Sequence, residues 1–145
     1  MSALASNLQF FLRAAAAVQV AVAVLNLGLV RFLKWKDSLE QLPLLLRQVF
    51  MAHLWFISLT VAIFGAMTWR FGATMAAGSD AACAWLSGAI GFFWGLRAVI
   101  QLAYYSPSHW RGHTGRTIVN IGCVVVYGGM TLVYLLATAR GWQAL

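Results

Sequence analysis

Charged residues are scarce in this chain. Of its 145 residues, 9% are charged and 62% are hydrophobic. A water-soluble domain carries roughly 25% charged residues, so these few charges cannot cover the surface of a soluble globule. A soluble core, a disordered chain and a disulfide scaffold are therefore excluded together. With a mean hydropathy of +0.80, the composition indicates an integral membrane protein.

Acidic residues are scarcer than basic ones: the chain has three, Asp37, Glu40 and Asp80, and ten Lys/Arg. Paired carboxylates that would hold Mg²⁺ for prenyl or phosphate chemistry are missing, which disfavours that chemistry. The net charge of +7 comes from short basic clusters between long apolar runs. Such clusters are typical of membrane topology, so we expect membrane lipid as a partner and no nucleic acid.

The chain has two cysteines, Cys83 and Cys123, and no Cys-x-x-Cys motif. In the spans proposed below they lie roughly 20 Å apart along the membrane normal, at about 1.5 Å per helical residue. A disulfide needs Cα atoms within about 7 Å. We therefore predict two free thiols and disfavour a thiol redox site.

Four uncharged runs separate the charged clusters, and about 20 helical residues cross a bilayer. The runs do not alternate between apolar and polar residues, as the strands of a membrane barrel would. We predict an all-α fold, an integral membrane four-helix bundle with short connecting loops that forms one domain over residues 1–145. The predicted spans are residues 8–33, 44–70, 81–105 and 117–139.

The connections carry further signals. In the first connection, Ser38 and Gln41 resemble a capping box, which predicts a short interfacial helix. The second connection, residues 71–80, is rich in small residues and is expected to be a flexible loop. The first and third connections together hold six Lys/Arg, whereas the opposite side holds three. The excess predicts a multi-pass protein with these two connections in the cytoplasm and both termini on the non-cytoplasmic side.

Each predicted span carries polar side chains along one face. By depth, the strongest of them fall in the cytoplasmic leaflet, and these are the predicted ligand-binding residues: Asn26, His53, Arg97, Gln101 and Asn120. Placing such groups toward lipid is unfavourable, so they are expected to satisfy one another or to meet a ligand. Phe93 and Trp94 lie one turn before Arg97 and are predicted to wall the pocket.

Arg97 is the most informative of these residues, because no acidic residue within a span is available to pair with it. Arginine keeps its charge under essentially all conditions. Three roles remain open: a structural arginine whose side chain extends to the membrane surface, an anchor for a lipid head or ligand, and a member of a charge pathway.

These residues predict a small membrane protein that binds an amphipathic, lipid-like or quinone-like molecule, since amide, imidazole and guanidinium groups suit such heads. It would be a membrane enzyme or a binding subunit, and the acid–base candidates at that depth are His53, Tyr127 and Cys123. One alternative is a non-catalytic accessory subunit of a larger membrane complex, with Gly91 and Gly95 on a close-packing face. Another is an oligomeric transporter or channel.

The sequence does not identify the ligand or a cofactor. Haem is disfavoured because no span other than the second contains a histidine, and a haem iron takes axial ligands from the protein. A metal site at His109 and His113 is disfavoured as well. Proline and glycine predict a loop there, and the neighbouring Arg111 repels cations. A homo-oligomer or a complex with other membrane subunits remains open.

Overall fold

The computed structural model of the chain describes residues 3–104 and 114–143. Over these two ranges the protein is all-α and has no strand, which confirms the predicted fold class. Four helices are long and one is short. The helices are α1 (Ala3–Phe32), α2 (Lys36–Glu40), α3 (Leu44–Ala77), α4 (Ala81–Ala103) and α5 (Thr114–Gln143).

The four long helices are long and apolar enough to cross a membrane. The protein itself covers little of this apolar surface. In the most apolar 18-residue stretch of each helix, 17% is buried in α3 and 11% in α5. Large side chains such as Leu132 and Leu136 are exposed. An apolar surface of this extent indicates a lipid environment. By length and composition, the chain is therefore a multi-pass membrane protein.

The predicted start of two spans agrees with the structure, because α3 and α4 begin at residues 44 and 81. The expected loop over residues 71–80 is wrong. Helix α3 continues through residues 71–77, which are rich in alanine and include Met75, both strong helix formers. The helix ends at Ala77, and the next residue is Gly78, whose φ of +68° suits a residue without a Cβ. Residue 105 and the third connection lie outside the described residues.

A short helix in the first connection is confirmed as α2, but the predicted capping box is wrong. The N-cap of α2 is Trp35, which makes no side-chain cap hydrogen bond. The helix starts at Lys36, so Ser38 is its third residue and not its cap. An exposed ion pair between Lys36 and Glu40, with 3.8 Å from Nζ to Oε1, spans this single turn.

Helix α4 has a well-formed N-terminus. The Asp80 carboxylate oxygen Oδ1 accepts a hydrogen bond of 2.8 Å from the backbone N–H of Cys83. This bond satisfies one of the N–H groups that a helix leaves unpaired at its start. Both Cys83 and Cys123 are free thiols, as the sequence predicts.

The described chain divides into two compact units. The α4–α5 unit comprises residues 1–12 and 71–145, and the α1–α3 unit comprises residues 13–70. The predicted single domain is not tested by this division and stays a prediction. In the α1–α3 unit, a Cβ added at Gly65 would lie 3.1 Å from the carbonyl oxygen of Ala16, so the two helices approach closely there.

In the α4–α5 unit, the small residues of α4 face α5. A Cβ at Gly91 would lie 3.2 Å from the Cβ of Tyr134, and one at Gly95 would lie 3.4 Å from a methyl group of Thr131. The close-packing face predicted on the third span is therefore occupied by the fourth helix of the same chain. This contact sets the register in which the polar side chains of the two helices meet.

Candidate functional site

A chain of hydrogen bonds joins α4 to α5 near the C-terminal end of α4. Arg97 Nη1 donates to Gln101 Oε1 at 3.2 Å, and Gln101 Nε2 donates to Asn120 Oδ1 at 2.6 Å. Gln101 is buried, whereas Arg97 and Asn120 are half-buried. We refer to Arg97, Gln101, Asn120 and Tyr127 as the Arg97 cluster.

Tyr127 of α5 belongs to this cluster through its ring. The guanidinium carbon of Arg97 lies 5.0 Å from the ring centroid, and the indole of Trp94 stacks on the same ring at 5.4 Å. Phe93 meets Trp94 edge to face, also at 5.4 Å. Trp94 is buried and Phe93 is half-buried, so of the two predicted pocket walls Phe93 presents more accessible surface.

Two of the groups that Arg97 contacts are uncharged, an amide oxygen and an aromatic face. Asp80 is the only acidic side chain in the sequence of the α4–α5 unit. It lies 17 residues before Arg97 at the start of α4, which is about 25 Å along a helix. Within this unit, the guanidinium is therefore held in place while its positive charge remains.

Two hydroxyls of the polar stripe on the fourth span are satisfied inside α5; the stripe consists of Asn120, Tyr127, Thr131, Tyr134 and Thr138. The Thr131 hydroxyl donates to the Tyr127 carbonyl oxygen, and the Thr138 hydroxyl donates to the Tyr134 carbonyl oxygen, both at 2.8 Å. Threonine in a helix commonly bonds to the carbonyl four residues earlier. These hydroxyls thus have local partners, and the chemistry of the stripe is concentrated at Asn120 and Tyr127.

Two predicted ligand-binding residues, Asn26 and His53, belong to the α1–α3 unit. His53 is exposed, and its Nδ1 lies 2.9 Å from the Val49 carbonyl oxygen. Because a carbonyl only accepts, Nδ1 carries the proton, which leaves Nε2 as an acceptor when the ring is neutral. Asn26 is half-buried, and its side chain has no hydrogen bond to any residue within the described ranges.

The α1–α3 unit also contains an apolar groove of ≈ 210 Å³. Its walls include Val24 and Leu27 of α1 and Trp55 and Leu59 of α3. The hydroxyl of Ser58, which also lines the groove, donates to the Leu54 carbonyl oxygen of its own helix. The walls of the groove are therefore apolar, and the hydroxyl hydrogen of Ser58 is already used within α3.

The structure brings three of the five predicted ligand-binding residues into direct hydrogen bonding: Arg97, Gln101 and Asn120. It adds Tyr127, predicted only as an acid–base candidate, as an aromatic contact of the arginine. The seven-residue spacing of Asn120 and Tyr127, which places them on one stripe, was the available signal. The stacking of Trp94 on Tyr127 had no sequence signal, because it depends on the register of α4 against α5.

One buried polar atom near the cluster is left over. Trp94 is 1% exposed, and its indole nitrogen Nε1 finds no hydrogen-bond acceptor in the described part of the chain. Buried N–H groups normally donate a hydrogen bond, so this indole N–H is an exception. This donor lies on the side chain that stacks against Tyr127, within one helical turn of Arg97.

The cluster is not suited to a cation. Its members are one guanidinium, two amides and one phenol, and the first of these repels metal ions. Within residues 3–104 and 114–143, no group of three or more His, Cys, Asp or Glu side chains is placed to hold a metal ion. His109 and His113 lie outside these ranges.

Comparison with family models, curated protein sequences and solved structures finds no significant match to this chain.

Proposed function

We propose that this chain is a multi-pass membrane protein that binds the polar head of an amphipathic, lipid-like or quinone-like molecule at the Arg97 cluster. The observation that carries the proposal is the pair of hydrogen bonds from Arg97 through Gln101 to Asn120. They hold a permanent positive charge between two apolar helices through amide groups, which carry no charge of their own. Charged residues at such positions commonly mark a functional site.

The depth of the cluster suits the head of an amphipathic molecule. Arg97 precedes Ala103, the last residue of α4, by six residues, which is about 9 Å along the helix. The head-group region on each side of a bilayer is roughly 5–8 Å thick, so a helix that ends at the membrane surface places Arg97 near the inner edge of that region. Exposed apolar side chains such as Leu96, Val99 and Val119 surround this end of the two helices and offer a surface for a tail.

Orientation is part of the proposal. The excess of Lys/Arg in the first and third connections supports a cytoplasmic location for both, with both termini on the other side. The cluster then lies in the cytoplasmic leaflet. Asn26 and His53 belong to the α1–α3 unit, and their part in binding stays a prediction from their depth along the predicted spans.

Whether the bound molecule is also converted depends on the acid–base groups nearby. Tyr127 belongs to the cluster, and Cys123 lies one turn before it on α5 as a half-buried free thiol. His53 is in the other unit. The alternative of an accessory subunit depends on Gly91 and Gly95 as a face that packs against another subunit. In the structure these glycines pack against α5 of the same chain. We therefore favour the binding protein over the accessory subunit.

Native mass spectrometry of gently solubilised protein, with an absorption spectrum of the same sample, tests the proposal. We expect the natural sequence to retain a small molecule and Arg97→Leu to lose it while still inserting into the membrane. Arg13→Leu is the matched control, because Arg13 is an exposed arginine on α1 in the other unit. It removes the same charge and should leave retention unchanged.

Two results would contradict the proposal. Retention of the molecule by Arg97→Leu would place the site elsewhere. A ligand-free protein that co-purifies with another subunit would favour the accessory-subunit alternative, with the cluster acting as a link between helices. A visible absorption band would instead identify a pigment or haem and would reverse the expectation against haem.

A further inference from the structure

The direction of each hydrogen bond in the Arg97 cluster is fixed by chemistry. Arginine carries N–H donors and no acceptor, so the side-chain oxygen of Gln101 must face Arg97. The amide nitrogen of Gln101 must then face Asn120, and Asn120 must accept with its oxygen. The arginine thus fixes which atom is oxygen and which is nitrogen in both side-chain amides.

This direction leaves a donor at the far end of the chain of bonds. Asn120 uses Oδ1 for Gln101, and Nδ2 has no acceptor among the residues that the structure describes. At the near end, any further contact of the Arg97 guanidinium also requires an acceptor, because arginine only donates. The far end of the cluster therefore presents the N–H groups of Asn120, and the near end is a guanidinium, which can only donate.

The buried indole of Trp94 continues the same pattern. Its N–H meets no acceptor in the described ranges, and its ring stacks on Tyr127, which also contacts Arg97. Arg97, Asn120 and Trp94 thus all carry N–H donors, and Arg97 adds a positive charge. A polar site of this composition is complementary to a group that has several acceptor oxygens and a negative charge.

We propose that the head recognised at the Arg97 cluster is an oxyanion, a carboxylate or phosphate, that accepts hydrogen bonds from Arg97 and Asn120. This inference rests on the proposed function and narrows its ligand class. A quinone carbonyl also accepts hydrogen bonds, but it carries no charge for the guanidinium to meet. A quaternary ammonium head offers neither an acceptor nor an opposite charge and is excluded from the site.

Four probes with one tail and different heads test the charge preference: hexadecyl phosphate, hexadecanoate, hexadecanol and hexadecyltrimethylammonium. Each is titrated into the full chain in a non-ionic detergent, and binding is followed by native mass spectrometry. A charge-assisted hydrogen bond is stronger than a neutral one, so we expect the two anions to bind about tenfold or more tightly than hexadecanol. The ammonium probe should show no saturable binding.

Two variants test the assigned atoms. Asn120→Asp keeps an oxygen for Gln101 but replaces the donor Nδ2 with a negatively charged oxygen, so it should abolish the preference for the anions while hexadecanol still binds. Arg97→Gln should reduce that preference as well. Arg13→Gln changes the net charge by the same amount outside the cluster and should leave it intact. Thermal unfolding of each variant checks that the fold is retained.

The outcomes separate this inference from the proposed function. Equal binding of hexadecanol and hexadecyl phosphate, unchanged in Asn120→Asp but lost in Arg97→Leu, would overturn the oxyanion and keep the amphipathic ligand. The absence of saturable binding for every probe would overturn both. Inorganic phosphate is titrated in parallel. Competition by phosphate at the same concentration as hexadecyl phosphate would support the oxyanion and assign its source to a free anion instead of a lipid head.

Discussion

The guanidinium carbon of Arg97 lies 5.0 Å from the centre of the Tyr127 ring, so a permanent charge on α4 meets an aromatic ring of α5. Trp94 stacks on the same ring. A cation–π contact contributes about 0.5–2 kcal/mol, depending on its exposure, and an aromatic pair contributes about 0.5–1.5 kcal/mol beyond its buried area. Tyr127 therefore links the two helices at the site as well as presenting a phenol there.

Replacing the Tyr127 ring should weaken the α4–α5 contact. We expect Tyr127→Leu to lower the free energy of unfolding by about 1–3 kcal/mol, because both ring contacts are lost. Tyr127→Phe keeps the ring and should lose less. Thermal unfolding in detergent micelles measures the difference. Equal losses for the two variants would mean that the hydroxyl, and not the ring, holds the helices together.

The hydrogen bond between Gln101 and Asn120 should couple the two helices energetically. In a double-mutant cycle of Gln101→Met with Asn120→Leu, we expect a coupling of about 0.6–2 kcal/mol, the range for hydrogen bonds between membrane helices. Thr138→Val provides the control, since the Thr138 hydroxyl bonds within its own helix. Paired with Gln101→Met, it should be additive within about 0.5 kcal/mol. Additivity of Gln101 and Asn120 would contradict the described bond.

The helices were predictable from sequence because a helix that crosses a bilayer needs about 20 mostly apolar residues. Uncharged runs bounded by charge give the starts of α3 and α4 directly. The end of α3 was not predictable in this way, because Arg70 marks a change in polarity and does not interrupt the backbone hydrogen bonds of a helix. Only the positive φ of Gly78 ends it, and the sequence does not reveal which of its glycines adopts such a conformation.

The candidate site was predictable in its members but not in its contacts. The depth of Arg97, Gln101 and Asn120 follows from counting residues along each span. The stacking of Trp94 on Tyr127 depends on the register of α4 against α5. The close contact between Gly91 and Tyr134 helps to set that register. Periodicity places polar residues on a face but does not show which of them bond within their own helix, as His53 does with Val49.

Replacing a glycine by alanine should destabilise the protein at the α4–α5 contact but not outside it. A Cβ at Gly141 would lie 2.5 Å from the Cβ of Ala84, whereas one at Gly129 would meet nothing within 4 Å. We expect Gly141→Ala to destabilise the protein by about 1–3 kcal/mol through overpacking. Gly129→Ala should be neutral or stabilising by up to about 1 kcal/mol, from helix propensity.

Thermal unfolding compares these two alanine variants directly, since each adds the same methyl group to α5. Similar stabilities would contradict the close approach of α5 to α4 at Ala84. A marked loss for Gly129→Ala would show that a further helix covers this part of α5, and size measurements in detergent would then reveal whether that helix belongs to a second copy.

The proposed orientation predicts which connection reaches the outside of the cell. Ser38 and Ser79 are both exposed, and they lie in the first and second connections. In a chain with Cys83→Ala and Cys123→Ala, each serine is replaced in turn by cysteine. We expect a membrane-impermeant maleimide to label Ser79→Cys in intact cells and to label Ser38→Cys only after permeabilisation. The reverse pattern would invert the orientation and move the Arg97 cluster to the outer leaflet.

The physical cause of the orientation is testable in the same cells. Six Lys/Arg in the first and third connections stand against three on the opposite side. Lys34→Gln and Lys36→Gln together with Ser79→Arg change this ratio to four against four. Because the asymmetry of basic residues sets orientation, we expect a mixed population, in which Ser38→Cys becomes partly labelled before permeabilisation. Unchanged protection of Ser38→Cys would mean that features other than these charges fix the topology, such as the packing of the helices.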